Sequence, residues 1–147
     1  MAEPTRLDVL KVTLEPEPAA ERTARALVRQ ALSERVAPEV LDDAELVTAE
    51  LVANAIKHAG TAIDLRVEGP DDDILIRVTD TALGTMPRYM PVSVTAESGR
   101  GLHLVDALCS RWGFDLDLEH DCKTVWCRVS REPRPMAAPG RPGDGGA

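Results

Sequence analysis

Glu50, Asn54 and Lys57 stand four and three residues apart in AELVANAIKHAG, residues 49–60, a stretch otherwise dominated by Ala, Leu, Val and Ile. A carboxylate there can act as a general base, and an amide oxygen can take a place around a hard divalent cation. At helical spacing Asn54 lies about 40° from Glu50 and Lys57 about 20° to its other side, so the three form one line. Leu46, Val47, Leu51, Val52 and Ile56 fill most of the remaining circumference, and a helix apolar nearly all round is buried. The polar line is then either a solvent-facing edge or the lining of a polar cavity. Inward groups would need charged partners, because burying them alone costs several kcal/mol.

Two further places break an apolar pattern. Asp80 continues the phase of Ile74, Ile76 and Val78 in ILIRVTD, residues 74–80. It is either an inward carboxylate or the cap of a strand that stops at Val78. In ESGRGLHLV, residues 97–105, two glycines flank Arg100 immediately before a helical pattern. Such a loop is either a plain flexible turn or an anion site, built from close backbone approach and the positive end of a helix.

The elements that must position these residues follow from periodicity. LDVLKVTL, 7–14, suits a strand, and EPEP breaks it. From Ala20 onward Ala24, Leu27, Val28, Ala31, Leu32 and Val36 recur at helical spacing. A second helix runs to about Ala59, with Gly60 as its stop. It starts either at Pro38, as a first-turn proline, or at Asp42, which forms a capping-box-like pair with Glu45. Strands over 62–68 and 74–80 form a hairpin across the turn sequence GPDDD. Residues 81–100 hold no sustained period, and a loop of that length in a compact domain is usually functional or mobile. GLHLVDALC, 101–109, is helical again. WGFDLDLE, 112–119, alternates with Phe114, Leu116 and Leu118 facing in, and KTVWCRV, 123–129, is its antiparallel partner. The order β-α-α-β-β-loop-α-β-β predicts an α+β fold, a two-layer sandwich. Residues 1–131 form one domain, and the Pro/Gly-rich 132–147 form a disordered tail.

At 147 residues the chain is long enough to bury a core without metals or disulfides. A net charge of −8 repels phosphate backbones, and two Trp, one Tyr and one Phe build no base-stacking platform, so nucleic acid is not the expected partner. No apolar run reads as a signal peptide or a membrane span, which points to a cytoplasmic protein with Cys109, Cys122 and Cys127 as reduced thiols. His120, Cys122 and Cys127 fit no closed four-ligand zinc site.

ELVANAIKHA resembles the N-box of the GHKL ATPase superfamily, which includes histidine kinases and type II topoisomerases. In its ELVxNAxxHA form it is most similar to the anti-sigma-factor serine/threonine kinases. DTALG, 80–84, resembles the first glycine box, ESGRGLHLV the second, and KTVW, 123–126, the terminal strand motif; together they span roughly residues 7–130. The resemblance implies a Bergerat-type ATP-binding sandwich, a mixed, mostly antiparallel sheet covered on one face by three helices. It implies Mg²⁺ at Asn54, Glu50 as general base toward a serine hydroxyl, and Asp80 as acceptor for the adenine amino group. It further implies Gly84 beside the base, Gly99, Arg100, Gly101 and Leu102 on the phosphates under a lid over 82–98, Lys57 as a cation within reach of phosphate, and Thr124 near the adenine. The implied partners are an anti-anti-sigma factor-like protein, a sigma factor and a second copy of the chain.

Two positions depart from that pattern. Residue 82 is Ala where the first glycine box has Gly, and Asp121–Cys122 stand where a glycine commonly precedes the last strand. No helical phosphoacceptor segment with an exposed histidine occurs, since His58 and His103 lie on the N-box and second-glycine-box helices, so a detached histidine-kinase domain is the weaker reading.

Overall fold

The computed structural model describes residues 8–58, 61–69, 73–81 and 105–132. Strand β1 (Asp8–Leu14) leads into helices α1 (Ala19–Leu32) and α2 (Pro38–His58). Then come β2 (Ile63–Glu68), β3 (Asp73–Asp80), a helical turn at 105–108, β4 (Arg111–Asp117) and β5 (Cys122–Ser130). The five strands form one sheet in the order β1-β2-β3-β5-β4, and every described pairing is antiparallel. Helices α1 and α2 pack on each other, α1 on β1 and α2 on β2, β3 and β5. The α+β two-layer sandwich expected from the sequence is the fold.

Helix α1 buries Ala20, Ala24, Val28 and Leu32, one residue per turn. Helix α2 starts at Pro38. The Leu41 N–H donates to the Ala37 carbonyl at 2.9 Å, which makes Pro38 the first helical residue, where its missing N–H costs nothing. Asp42 and Glu45, the alternative start signal, instead clamp α2 to α1 through Arg29: its guanidinium meets Asp42 at 3.2 Å and also pairs with Glu45. Ile63, Leu65, Val67, Ile74, Ile76, Val78, Cys127 and Val129 supply the sheet side of the core.

The face turned away from the helices is polar. Cross-strand pairing puts Lys11, Arg66, Arg77 and Trp126 in one row, and Thr13, Asp64, Thr79 and Thr124 in the next. The like charges opposite one another are offset by Glu68, 3.9 Å from Arg66 and 3.6 Å from Arg77, and by Asp8, 3.8 Å from Arg66.

Strand β4 differs from its expectation. Phe114 and Leu116 pair with Val125 and Lys123 and so share the inner face, but they are 37% and 45% exposed. β4 is an edge strand, and alternation sets the direction of a side chain, not whether a helix lies above it. Leu118 falls in the turn beyond β4 and is 74% exposed. That turn ends at Asp121 with φ 55°, the left-handed conformation for which a glycine is the usual choice and which aspartate tolerates.

Candidate functional site

Helix α2 buries Val40, Leu41, Ala44, Val47, Leu51, Val52 and Ala55. Glu50 and Asn54 sit at the margin of that face, each half-buried, and Lys57 is exposed. The polar line is therefore neither sunk in the core nor wholly on the surface. A carboxylate and an amide one turn apart, each with one side against packed apolar residues, are held in place yet open to a ligand.

Asp80 resolves in favour of the inward reading. Strand β3 runs through it, and the carboxylate continues the buried face of Ile74, Ile76 and Val78. Its cross-strand neighbour is Lys123. The ammonium Nζ lies 3.5 Å from Asp80 Oδ2, with side-chain exposures of 6% and 1%. A charge that deep requires such a partner.

Lys123 was not singled out from the sequence, though a signal was present. It shares the phase of Val125, Cys127 and Val129, the inner face of β5, and so breaks an apolar pattern as Asp80 does. Thr124 faces the other way. Its hydroxyl is 2.7 Å from that of Thr79, on the face away from the helices. The threonine expected near the base is thus on the opposite side of the sheet from Asp80, and the inward position of the KTVW segment belongs to Lys123.

Chain geometry collects the polar residues at one end of the sandwich. β2 begins at Ile63, antiparallel to β3, with Asp64 opposite Thr79. The Thr81 N–H donates to the Thr61 hydroxyl at 3.3 Å. Only two residues lie between His58, the last residue of α2, and Thr61, a reach of about 10 Å over three Cα–Cα steps. The last two turns of α2, with Asn54 and Lys57, therefore lie at the sheet end where β3 finishes with Asp80 and β5 starts beside Lys123. Gly84, Gly99, Arg100, Gly101 and Leu102, with the lid expected over 82–98, lie outside the described residues, as does the tail beyond Glu132.

The helical turn that follows the second glycine motif is anchored. Val105 is fully buried, the Cys109 N–H donates to its carbonyl at 2.9 Å, and Trp112 Nε1–H donates to Asp106 at 3.2 Å. Burial, and then the neighbouring Cys109 thiol, push the Cys127 thiol well above its ordinary range, so it is an inert core group. A cavity of about 450 Å³ lined by Lys11, Asp64, Arg66 and Arg77 opens on the outer face, across the sheet from Asp80. Among the described residues no helix is long and apolar enough to cross a membrane.

No curated protein matches this sequence. Among solved structures, the chain resembles the crystal structure of the RsbU and RsbW domains of Rv1364c from Mycobacterium tuberculosis, with a TM-score of 0.58 at 22% identity. The alignment covers 87% of this chain and 34% of that one, so the chain spans about a third of the matched length, and the likeness is one of fold. The sequence itself matches the family model of the histidine kinase-like ATPase domain over residues 14–129, nearly the whole of the sandwich that holds Glu50, Asn54 and Asp80, and the chain belongs to that family.

Proposed function

We propose that the protein is an ATP-binding serine/threonine kinase of the anti-sigma-factor type, which phosphorylates a serine on an anti-anti-sigma partner and sequesters a sigma factor. The observation that carries this reading is the half-buried Glu50–Asn54 pair on α2, the helix whose last two turns lie at the sandwich end where the inward Asp80 closes β3. Family membership supports the nucleotide, and the RsbW-containing structure supports the regulatory setting.

The donor set fits its ligands. Mg²⁺ takes few protein oxygens, and the Asn54 amide offers one beside an acidic helix face. An ion held there would supply neutralisation of phosphate charge. Glu50, held on one side by packed neighbours and open on the other, accepts the proton of an incoming serine hydroxyl. Asp80, fixed by its strand, accepts from the exocyclic amine of adenine. The motif residues at 99–102 hold the phosphates, and Lys57 adds a cation near them. The protein acts in the cytoplasm, as a homodimer.

Calorimetric titration of Mg-ATP into the purified chain tests the reading. Micromolar binding is expected, lost in Asn54→Ala and Asp80→Ala. Phosphoryl transfer to a partner serine should vanish in Glu50→Ala while nucleotide binding stays. A second reading, a regulator that works by partner binding alone, is favoured by Ala82 in place of the box glycine. It predicts partner capture that Glu50→Ala leaves unchanged, with no phosphoserine formed.

A further inference from the structure

The pair at the end of β3 and β5 asks why a sandwich of this size keeps two charges where apolar residues would pack. Replacing a buried ion pair with apolar side chains of similar volume is often neutral or stabilising, so stability alone does not account for Asp80 and Lys123. Their placement does. They are direct cross-strand neighbours on the inner face, at the sandwich end that also gathers Asn54 and Lys57. Next to Lys123 across β4 stands Leu116, 45% exposed on the same face, and beside it Phe114, 37% exposed. Charge and open apolar surface thus adjoin, the combination that a flat heteroaromatic ring needs.

We propose that Lys123 is the second half of a two-point reader for the edge of adenine: the Asp80 carboxylate accepts from the exocyclic N6 amine, and the Lys123 ammonium donates to ring N1. This rests on the adenine-nucleotide reading of the same site. Adenine presents a donor and an acceptor on adjacent ring positions. The pair presents an acceptor and a donor 3.5 Å apart, in the complementary order. The ammonium makes one long contact with Oδ2 and has three N–H groups, so a ring nitrogen can take a second. Guanine reverses the edge, with an acceptor at position 6 and a donor at position 1. It would set oxygen against the carboxylate and N–H against the ammonium, so the pair also selects adenine over guanine. The sheet end thereby reads the base through two side chains from two strands, with Thr124 turned away.

The test replaces the ligand atom first. Mg-ATP and its 1-deaza analogue, in which N1 is C–H, are titrated calorimetrically into the full chain and into Lys123→Met. A charged hydrogen bond predicts that the wild-type chain binds the analogue about tenfold or more weakly than ATP. In Lys123→Met that ratio should fall to about one. If Lys123→Met does not fold, Lys123→Arg, which keeps the charge and moves the donor, should shrink the ratio, and the wild-type comparison needs no variant. A ratio near one in the wild type, a ratio unchanged by the substitutions, or tighter ATP binding by Lys123→Met overturns the inference and leaves Lys123 as a counter-charge. A wild-type chain that binds no ATP overturns the proposed function and this inference together. ATP binding with an unaltered ratio overturns the inference alone.

Discussion

The Asp80–Lys123 pair predicts an unequal response to losing either partner. At 3.5 Å and an effective dielectric of about 20, the gross attraction is about 5 kcal/mol, most of it offset by the desolvation of two charges. Truncation exposes that offset. Lys123→Met removes the cation facing a side chain that is 1% exposed, too short and too firmly fixed to its strand to swing its carboxylate out to solvent as a lysine can. Asp80 keeps further contacts, so the cost sits at the low end for a broken buried pair, about 3 kcal/mol. Asp80→Asn leaves a lysine whose four-carbon stem can carry its ammonium toward the open sheet end, for a cost of about 1 kcal/mol. The double variant Asp80→Leu/Lys123→Met removes both desolvation costs and should come within about 1 kcal/mol of the wild type. Urea unfolding followed by circular dichroism reads all four proteins, with equal m-values as the check on two-state behaviour. A Lys123→Met variant that loses less than Asp80→Asn would refute the reasoning, because the carboxylate would then not be the trapped member.

Two further outcomes follow from the β4–β5 hairpin. A Cβ on Gly113 would lie 3.0 Å from Trp126 Cζ2, so Gly113→Ala should push the indole off β4, cost about 1–2 kcal/mol and change the near-ultraviolet dichroism; an unaltered spectrum would show that the ring does not lie there. Asp117 accepts from His120 through the ring at 2.9 Å and the backbone N–H at 3.1 Å, and these bonds, the ring's first, hold its carboxyl below the ordinary value. The sign is that of a depressed acid: the contribution is present above the unfolded carboxylate value of about 3.9 and is lost as pH falls through the folded one. A carbon-detected titration should show the Asp117 midpoint rise in His120→Ala, and a midpoint that stays put would rule out the histidine as its cause.

Much of this was legible in the sequence because it rests on local rules. Alternation is a backbone property, so the strands, the β2–β3 and β4–β5 hairpins and the inward phase of Asp80 could be read directly, whereas the pairing of β1 with β2 and of β3 with β5 could not. Helix α2 began at Pro38 rather than Asp42 because Asp42 and Glu45 were needed by Arg29, a tertiary demand that no capping pattern contains. Phe114 and Leu116 had the right direction and the wrong burial, since what covers an edge strand is decided elsewhere in the chain. Asp121 takes the left-handed turn that a glycine would ordinarily make, so the missing glycine before the last strand does not break the hairpin.

The KTVW motif displays a threonine, and that threonine faces away from the helices, on the side of the sheet opposite Asp80. Period-two phase places Lys123, not Thr124, with Val125's inner-face neighbours Cys127 and Val129. A residue type says what chemistry is possible, but on a strand only the phase says on which side it happens. Where motif and phase disagree by one position, a strand buried on one face enforces the phase, because slipping it by one residue would turn Cys127 and Val129 out of the core. Here that rule puts a cation in contact with Asp80, and under the proposed adenine reading the second contact to the base falls to Lys123 rather than to a neutral hydroxyl. If Asp80 and Lys123 read the base as proposed, base selection depends on the register of β5 against β3, so a change that shifts that register should alter base selection before it alters the Glu50–Asn54 pair on α2.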